Sequence, residues 1–312
     1  MEVFHIVFPI LLIPLLGFFT VKQGLLSQTD GDSIAKFTFS FLIPALLFIN
    51  MAQMKIPADM NWNFLSAYYL AVFTIYILSI GLSCFLFDFS TVEQSVFGMG
   101  ASYSNATVVG MPVCIYALGE DALLPLFIII SIHNLALFSF GIIAAERKTL
   151  SLNSLLRRIF ELFLQLLKNP ITGSLIIGII FNLLHISLYL PLQNAFKLFS
   201  NGAVPAALFV LGASMNKYHI RGHLKPALTM VLLKNLALPL LVWLLAFHVF
   251  TLAPLWAATA LLTAAMPVGI NAYIFSQKYA VCVAAVSTGI VISTVSSIMT
   301  LTVVLLYIHA VI

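Results

Sequence analysis

The chain has 312 residues, of which 62% are hydrophobic and 8% charged, with a mean hydropathy of +1.11. A water-soluble domain carries roughly 25% charged residues, so this surface does not face water. The net charge of +4 comes from Lys and Arg spread over short connections rather than gathered in one patch. That pattern excludes a nucleic-acid module and fits orientation in a bilayer.

The N-terminus, Met1-Glu2-Val3-Phe4-His5, has neither a basic n-region nor a small-residue cleavage site, so residues 3–20 are read as a retained first span. Apolar runs over 34–54, 64–87, 93–117 and 123–145 follow. Each run is long enough, at 1.5 Å per residue, to cross a hydrocarbon core about 30 Å thick. A segment at 146–169 interrupts the series, and five more runs follow at 170–188, 195–215, 226–248, 255–279 and 281–309. The expected fold class is all-α, a polytopic membrane protein of ten transmembrane helices.

The interrupting segment contains "LSLNSLLRRIFELFLQLLK", with leucines and phenylalanines at helical intervals and Arg157, Arg158 and Lys168 elsewhere on the helix. It reads as a cytoplasmic amphipathic helix at the membrane surface, either a lipid-sensing element or a plain linker between halves. The odd-numbered connections hold Lys22, Arg147, Lys148, Arg157, Arg158, Lys168, Lys217, Arg221, Lys225 and Lys278, whereas the even ones hold Lys55 and, marginally, Lys197. By the positive-inside rule the odd connections are cytoplasmic and both termini lie outside. A short chain without a targeting extension fits a bacterial inner (cell) membrane. Cys84, Cys114 and Cys282 are odd in number and lack CxxC spacing, which supports neither a disulfide framework nor a zinc site.

Residues 1–145 and 170–312 hold five spans each and can be compared. A shift of 161 positions places Pro9 on Pro170, Gly17 on Gly178, Pro44 on Pro205 and Phe48 on Phe209, so that "PALLF" is echoed by "PAALF". A shift of 155 places "MPV" at 111–113 on "MPV" at 266–268. Two copies with an odd number of spans, joined in series, cross the membrane in opposite directions. This is an inverted-topology repeat, as found in many secondary transporters, whose sites lie at the repeat interface near the midplane.

The fourth run contains "SYSNATVVGMPVCIY" and the ninth "TAAMPVGINAYIF". Pro112, with Gly110 before it, and Pro267, with Gly269 after it, are expected to interrupt these helices. Unwound backbone is tolerated in a membrane only inside protein or against a wet cavity. Helix N-termini at such interruptions offer unpaired N–H groups and partial positive charge, to which a carboxylate is the natural ligand. Ser102, Ser104, Asn105 and Thr107 before the first interruption and Asn271 after the second supply short polar side chains. A proline kink capped by local Ser and Thr is the plainer reading of either helix alone; the pairing of two such helices favours a site.

These stretches, "SNATVVGMP" and "AAMPVGINAYIFSQKYAV", with "STVSSIMTL", "NPITGSLIIGIIFNLL" and "VPAALFVLGASM", resemble the auxin efflux carrier family, including its bacterial malonate and organic-anion permeases. The resemblance covers nearly the whole chain through the order and spacing of loose motifs. It implies a fold related to the bile acid sodium symporters, with spans four and nine crossing at their breaks. It also implies a scaffold of spans one, two, six and seven and a transport domain of the others, moving as an elevator. Carried over, the crossover positions are Asn105, Gly110 and Pro112 in span four and Pro267, Gly269 and Asn271 in span nine. The long hydrophilic central loop of plant hormone carriers has no counterpart here.

Ionisable groups at depth are functional by default, and few occur. Lys234 lies nine residues past Lys225, roughly 13 Å in from the cytoplasmic end at helical rise. It either pairs with an anion, neutralises helix C-termini or snorkels to the interface. His133, beside Asn134 in span five, is either a proton relay or a hydrogen-bonded structural residue. No Asp or Glu is placed to hold sodium, although Ser287, Ser293 and Thr294 could contribute hydroxyls.

The expected function is a secondary or facilitative carrier of a small organic anion, a carboxylate such as malonate or an auxin-like acid, by alternating access. A sodium-coupled symporter of larger amphipathic acids is the first alternative. An intramembrane enzyme is the second, disfavoured because HExxH and a carboxylate pair at depth are missing. No cofactor is expected, with Na+ or H+ coupling left open. The partners are the bilayer and the anion, not nucleic acid, with a homodimer left open.

Overall fold

The computed structural model describes residues 2–54, 62–147, 160, 161, 164, 168–217 and 223–311. Most of the expected amphipathic segment at 146–169 lies outside the described residues. Those residues form helices throughout, joined by short turns and one isolated antiparallel bridge. In chain order the helices are α1 (Glu2–Lys22), α2 (Gln28–Gln53), α3 (Trp62–Phe87), α4 (Thr91–Ser102), α5 (Ala106–Leu118) and α6 (Glu120–Glu146). Then come α7 (Pro170–Leu183), α8 (Leu190–Met215), α9 (Leu224–Val249), α10 (Pro254–Ala264), α11 (Ile270–Tyr279) and α12 (Val283–Val311).

Six of these, α2, α3, α6, α8, α9 and α12, have 26 to 29 residues and are apolar enough to cross a membrane. Large apolar side chains such as Phe85 (88% exposed) and Met299 (75%) point outward, which suits lipid and not water.

Three of the prolines inside these helices share one solution, whereas Pro9 and Pro14 lie within α1 without a π turn. A proline removes the bond to the carbonyl four residues back, and its ring clashes with that oxygen. For Pro44, Pro112 and Pro239 those carbonyls belong to Ser40, Val108 and Asn235, and each lies within a π turn: Thr38–Leu42, Ala106–Gly110 and Leu233–Ala237. The wider turn moves the offending carbonyl aside, so the helix continues past the proline.

The chain packs as two units, and the division runs through α5 after Gly110 and through α6 after Leu124. The first unit contains α1, α2, the later part of α5, α7 and α8. Here α1 lies along α8 and α2 along α7, through glycines that leave no room for a side chain. A Cβ on Gly17 would sit 3.0 Å from the carbonyl carbon of Phe209 and 3.1 Å from the amide of Ala213. One on Gly178 would sit 2.9 Å from the carbonyl oxygen of Phe48 and 3.4 Å from the amide of Ala52. Gly17 and Gly178, Phe48 and Phe209, and Ala52 and Ala213 are each separated by 161 positions, so one contact occurs twice. The Asn182 side chain closes the end of α2 by donating to the carbonyls of Met51 (2.9 Å) and Met54 (2.6 Å).

The second unit contains α3, α4, the start of α5, most of α6 and α9 to α12. Its centre is α4, in which every residue from Gln94 to Ser102 is buried. Small residues allow this: Gly98 lies against the Tyr76 ring and Gly100 against Met230. Tyr76 donates to the Ser95 carbonyl at 2.7 Å, and the Ser95 hydroxyl donates to the Gly141 carbonyl on α6 at 2.7 Å. The helix α10 is enclosed likewise, with Ala257 to Ala264 buried.

Candidate functional site

Within the second unit two stretches leave the helical state, residues 103–105 between α4 and α5 and residues 265–269 between α10 and α11. They lie antiparallel and pair through backbone. The Asn105 amide donates to the Pro267 carbonyl at 3.0 Å, and the Gly269 amide donates to the Tyr103 carbonyl at 2.9 Å, around a bridge between Ser104 and Val268. Each break thus satisfies the other's orphaned groups, which would cost several kcal/mol apiece if left open in an apolar medium.

Side chains from neighbouring helices take up the rest. The Ser104 amide donates to His133 Nε2 (3.2 Å), and the Val268 amide donates to the Ser293 hydroxyl (2.8 Å). That hydroxyl in turn donates to Asn235 Oδ1 at 2.8 Å, while Asn235 Nδ2 donates to the Ser293 carbonyl (2.9 Å) and Ser296 Oγ (2.8 Å). Lys234 Nζ donates to the carbonyls of Ala264 (2.7 Å) and Met266 (2.6 Å), where α10 ends.

A second polar group joins both breaks to α6. Asn271 Nδ2 donates to Tyr103 Oη at 2.6 Å and to Asn134 Oδ1 at 2.8 Å, and Tyr103 Oη donates to the same Asn134 oxygen. Asn134 and Asn271 are half-buried. The first turn of α5 is capped by Asn105, whose Oδ1 accepts from the Val108 amide at 3.3 Å. No side chain caps α11. A close approach fixes this geometry: a Cβ on Gly269 would lie 2.8 Å from Tyr103 Cε1 and 3.2 Å from the Ser104 carbonyl oxygen.

The sequence-derived candidates are therefore gathered unequally. Ser104, Asn105, Pro267, Gly269 and Asn271 are in or beside the breaks, and His133, Asn134, Lys234 and Ser293 touch them. Thr107 and Gly110 lie one turn on, where the Gly110 amide donates to the Asn105 carbonyl at 2.9 Å. The first break is at 103–105 and not at Gly110–Pro112, because the π turn accommodates Pro112, which packs with the first unit. The two "MPV" tripeptides consequently occupy different places: 266–268 is in a break, and 111–113 is inside α5.

Lys234 does not snorkel; it is fully buried and bonded to the end of α10. His133 is 2% exposed, with ring centroids of Tyr103 at 4.6 Å and Tyr68 at 5.9 Å. Its Nε2 is an acceptor, which leaves the ring proton on Nδ1, and Nδ1 has no hydrogen-bond partner among the described residues. Sequence reasoning missed Tyr103 and Asn235, although Tyr103 sits inside the polar stretch and Asn235 adjoins the buried lysine. No cluster of metal-ligating side chains occurs among the described residues.

The family model described as "Membrane transport protein" matches residues 2–305. The chain is 24% identical over 317 residues to a protein of Rhizobium meliloti (strain 1021) named "Putative malonate transporter", covering 96% of this chain and 94% of that one. It is also 26% identical over 226 residues to the "Lysosomal cholesterol signaling protein" of Mus musculus. That likeness covers 67% of this chain but 26% of the mouse protein, so it concerns one part of a much longer molecule.

Proposed function

The chain belongs to the membrane transport protein family, the auxin efflux carriers, and is a multi-pass membrane transporter; on that premise we propose that it carries a small organic anion, a carboxylate such as malonate, at its two paired breaks. The observation that carries the reading is the backbone bridge between 103–105 and 267–269. It starts two helices, α5 and α11, at one place, each with a partial positive charge of about half a unit at its N-terminus. Asn105 and Asn134 stand beside those ends, with the Asn271 amide holding Asn134 and Tyr103 in place, and amide donors of this kind suit a carboxylate. The malonate named for the bacterial relative fits this chemistry.

Ten spans complete the proposal if α4 with α5 and α10 with α11 each count as one broken span. Residues 1–145 and 170–312 are then inverted repeats joined by the 146–169 linker. Two facts support it: the duplicated glycine contact at a spacing of 161, and the reciprocal pairing of Asn105 with Pro267 and of Gly269 with Tyr103. The grouping of α1, α2, α7 and α8 apart from α3, α4 and α9 to α12 supports a scaffold and a transport domain working as an elevator. The bacterial inner membrane, with both termini outside, is the setting proposed from the distribution of Lys and Arg.

Uptake of labelled malonate and other carboxylates into proteoliposomes tests the reading. Asn105→Ala and Asn271→Ala are expected to fold and to lower uptake about tenfold or more, the worth of one hydrogen bond to a charged group. Parental rates in both variants remove the site assignment, and the absence of any carboxylate flux removes the substrate class.

A further inference from the structure

No Asp or Glu occurs after Glu161, so the second half as defined by its five spans, residues 170–312, has no acidic side chain of its own with which to balance a buried cation. Lys234 is nevertheless fully buried in that half. Its ammonium is held by the carbonyls of Ala264 (2.7 Å) and Met266 (2.6 Å), at the point where α10 stops and the break begins. The C-terminus of a helix carries a partial negative charge of about half a unit and unpaired carbonyl oxygens. In carriers with interrupted helices such carbonyl ends are the coordination sites of the coupling Na+ or H+. Here a primary ammonium, tethered by four methylenes to the π turn Leu233–Ala237, fills that position.

Resting on the carrier reading above, we infer that Lys234 is a built-in replacement for a mobile coupling cation: its ammonium occupies the carbonyl site at the end of α10, and the carrier works without Na+. The next residue strengthens the assignment. Asn235 holds Ser293, and Ser293 holds the Val268 amide one peptide past Pro267, so the π turn that places the ammonium also fixes the break. An ammonium fixed here also offsets the negative charge of a bound carboxylate. The unit then carries its substrate with less uncompensated charge in a low-dielectric setting.

Two measurements test this, and one needs no substrate. The purified protein is melted in NaCl and in N-methyl-D-glucamine chloride of equal ionic strength. The parental protein is expected to melt at the same temperature in both, and a Na+-dependent rise overturns the inference. Lys234→Ala opens the carbonyl site, so this variant is expected to gain an upward shift of a few degrees that grows with Na+, as binding to the folded state alone requires. Recovery of folded variant only when Na+ is present supports the same conclusion. If Lys234→Ala folds and ignores Na+, the lysine is a structural cap and the inference fails. Should Lys234→Ala be lost in every salt, Lys234→Ser, which adds a hydroxyl ligand, is judged by the same criterion.

The second measurement is malonate uptake, expected to be equal in Na+ and N-methyl-D-glucamine for the parental protein and Na+-stimulated in the variant. Parental uptake that requires Na+ overturns the inference. Absence of malonate flux counts against the substrate proposed above, while the melting experiment still decides the role of Lys234.

Discussion

Gly269 is where the two breaks come closest, and its missing side chain sets the geometry of the site. A Cβ there would press on the ring of Tyr103 and on the Ser104 carbonyl. Tyr103 cannot yield freely, because it is buried and its hydroxyl is shared between Asn134 and Asn271. Gly269→Ala is therefore expected to keep the fold but cost about 1–3 kcal/mol through overpacking and to abolish most malonate uptake. Size-exclusion chromatography and proteoliposome flux read these two effects separately, and parental flux would mean that the breaks tolerate separation. At this scale the sequence was partly legible. Asn105, Asn271 and Lys234 stood out because polar groups are expensive in an apolar span. Tyr103 did not, since an amphipathic ring reads equally as core or as interface, and its partner Asn271 is 168 positions away. The role of Asn235 likewise depends on Ser293, 58 positions on, which no local pattern discloses.

Among elements, proline marked the irregular helices without marking where they open. Pro44, Pro112 and Pro239 each follow a π turn that keeps the helix intact, whereas Pro267 lies outside any helix, next to the bridge residue Val268. The difference lies in packing: residues 265–269 find partners in 103–105 and Ser293, whereas the segments around Pro44 and Pro239 have no such partner strand among the described residues. Helix existence and length follow from hydropathy, but the position of a break depends on which distant backbone can satisfy it. The register shift of 161 fares better, because it recovers the glycine contacts of α1 with α8 and of α2 with α7. If those contacts are equivalent, Gly17→Val and Gly178→Val should destabilise alike, each by about 1–3 kcal/mol from overpacking. Thermal unfolding of the detergent-solubilised variants checks this. A melting temperature lowered by one substitution and unmoved by the other would deny the equivalence.

For the molecule as a whole, composition alone established a membrane protein, because an 8% charged chain cannot clothe itself for water. Division into two packing units was beyond its reach, since each unit draws helices from both halves of the chain. The elevator proposal assigns transport to motion of one unit while the other stays rigid within itself, and a covalent tie confined to the first unit distinguishes this from a unit that deforms. A Cβ on Gly31 of α2 would lie 3.5 Å from the Cβ of Ala213 on α8, within the separation of about 3.5–4.5 Å that a disulfide spans. Both positions belong to the first unit. In a background with Cys84, Cys114 and Cys282 replaced by alanine, Gly31→Cys with Ala213→Cys is expected to cross-link on oxidation and to carry malonate at the same rate before and after. Loss of flux on oxidation, restored by a reductant, would show that α2 and α8 must move against each other during transport, and the first unit could then not be a static scaffold.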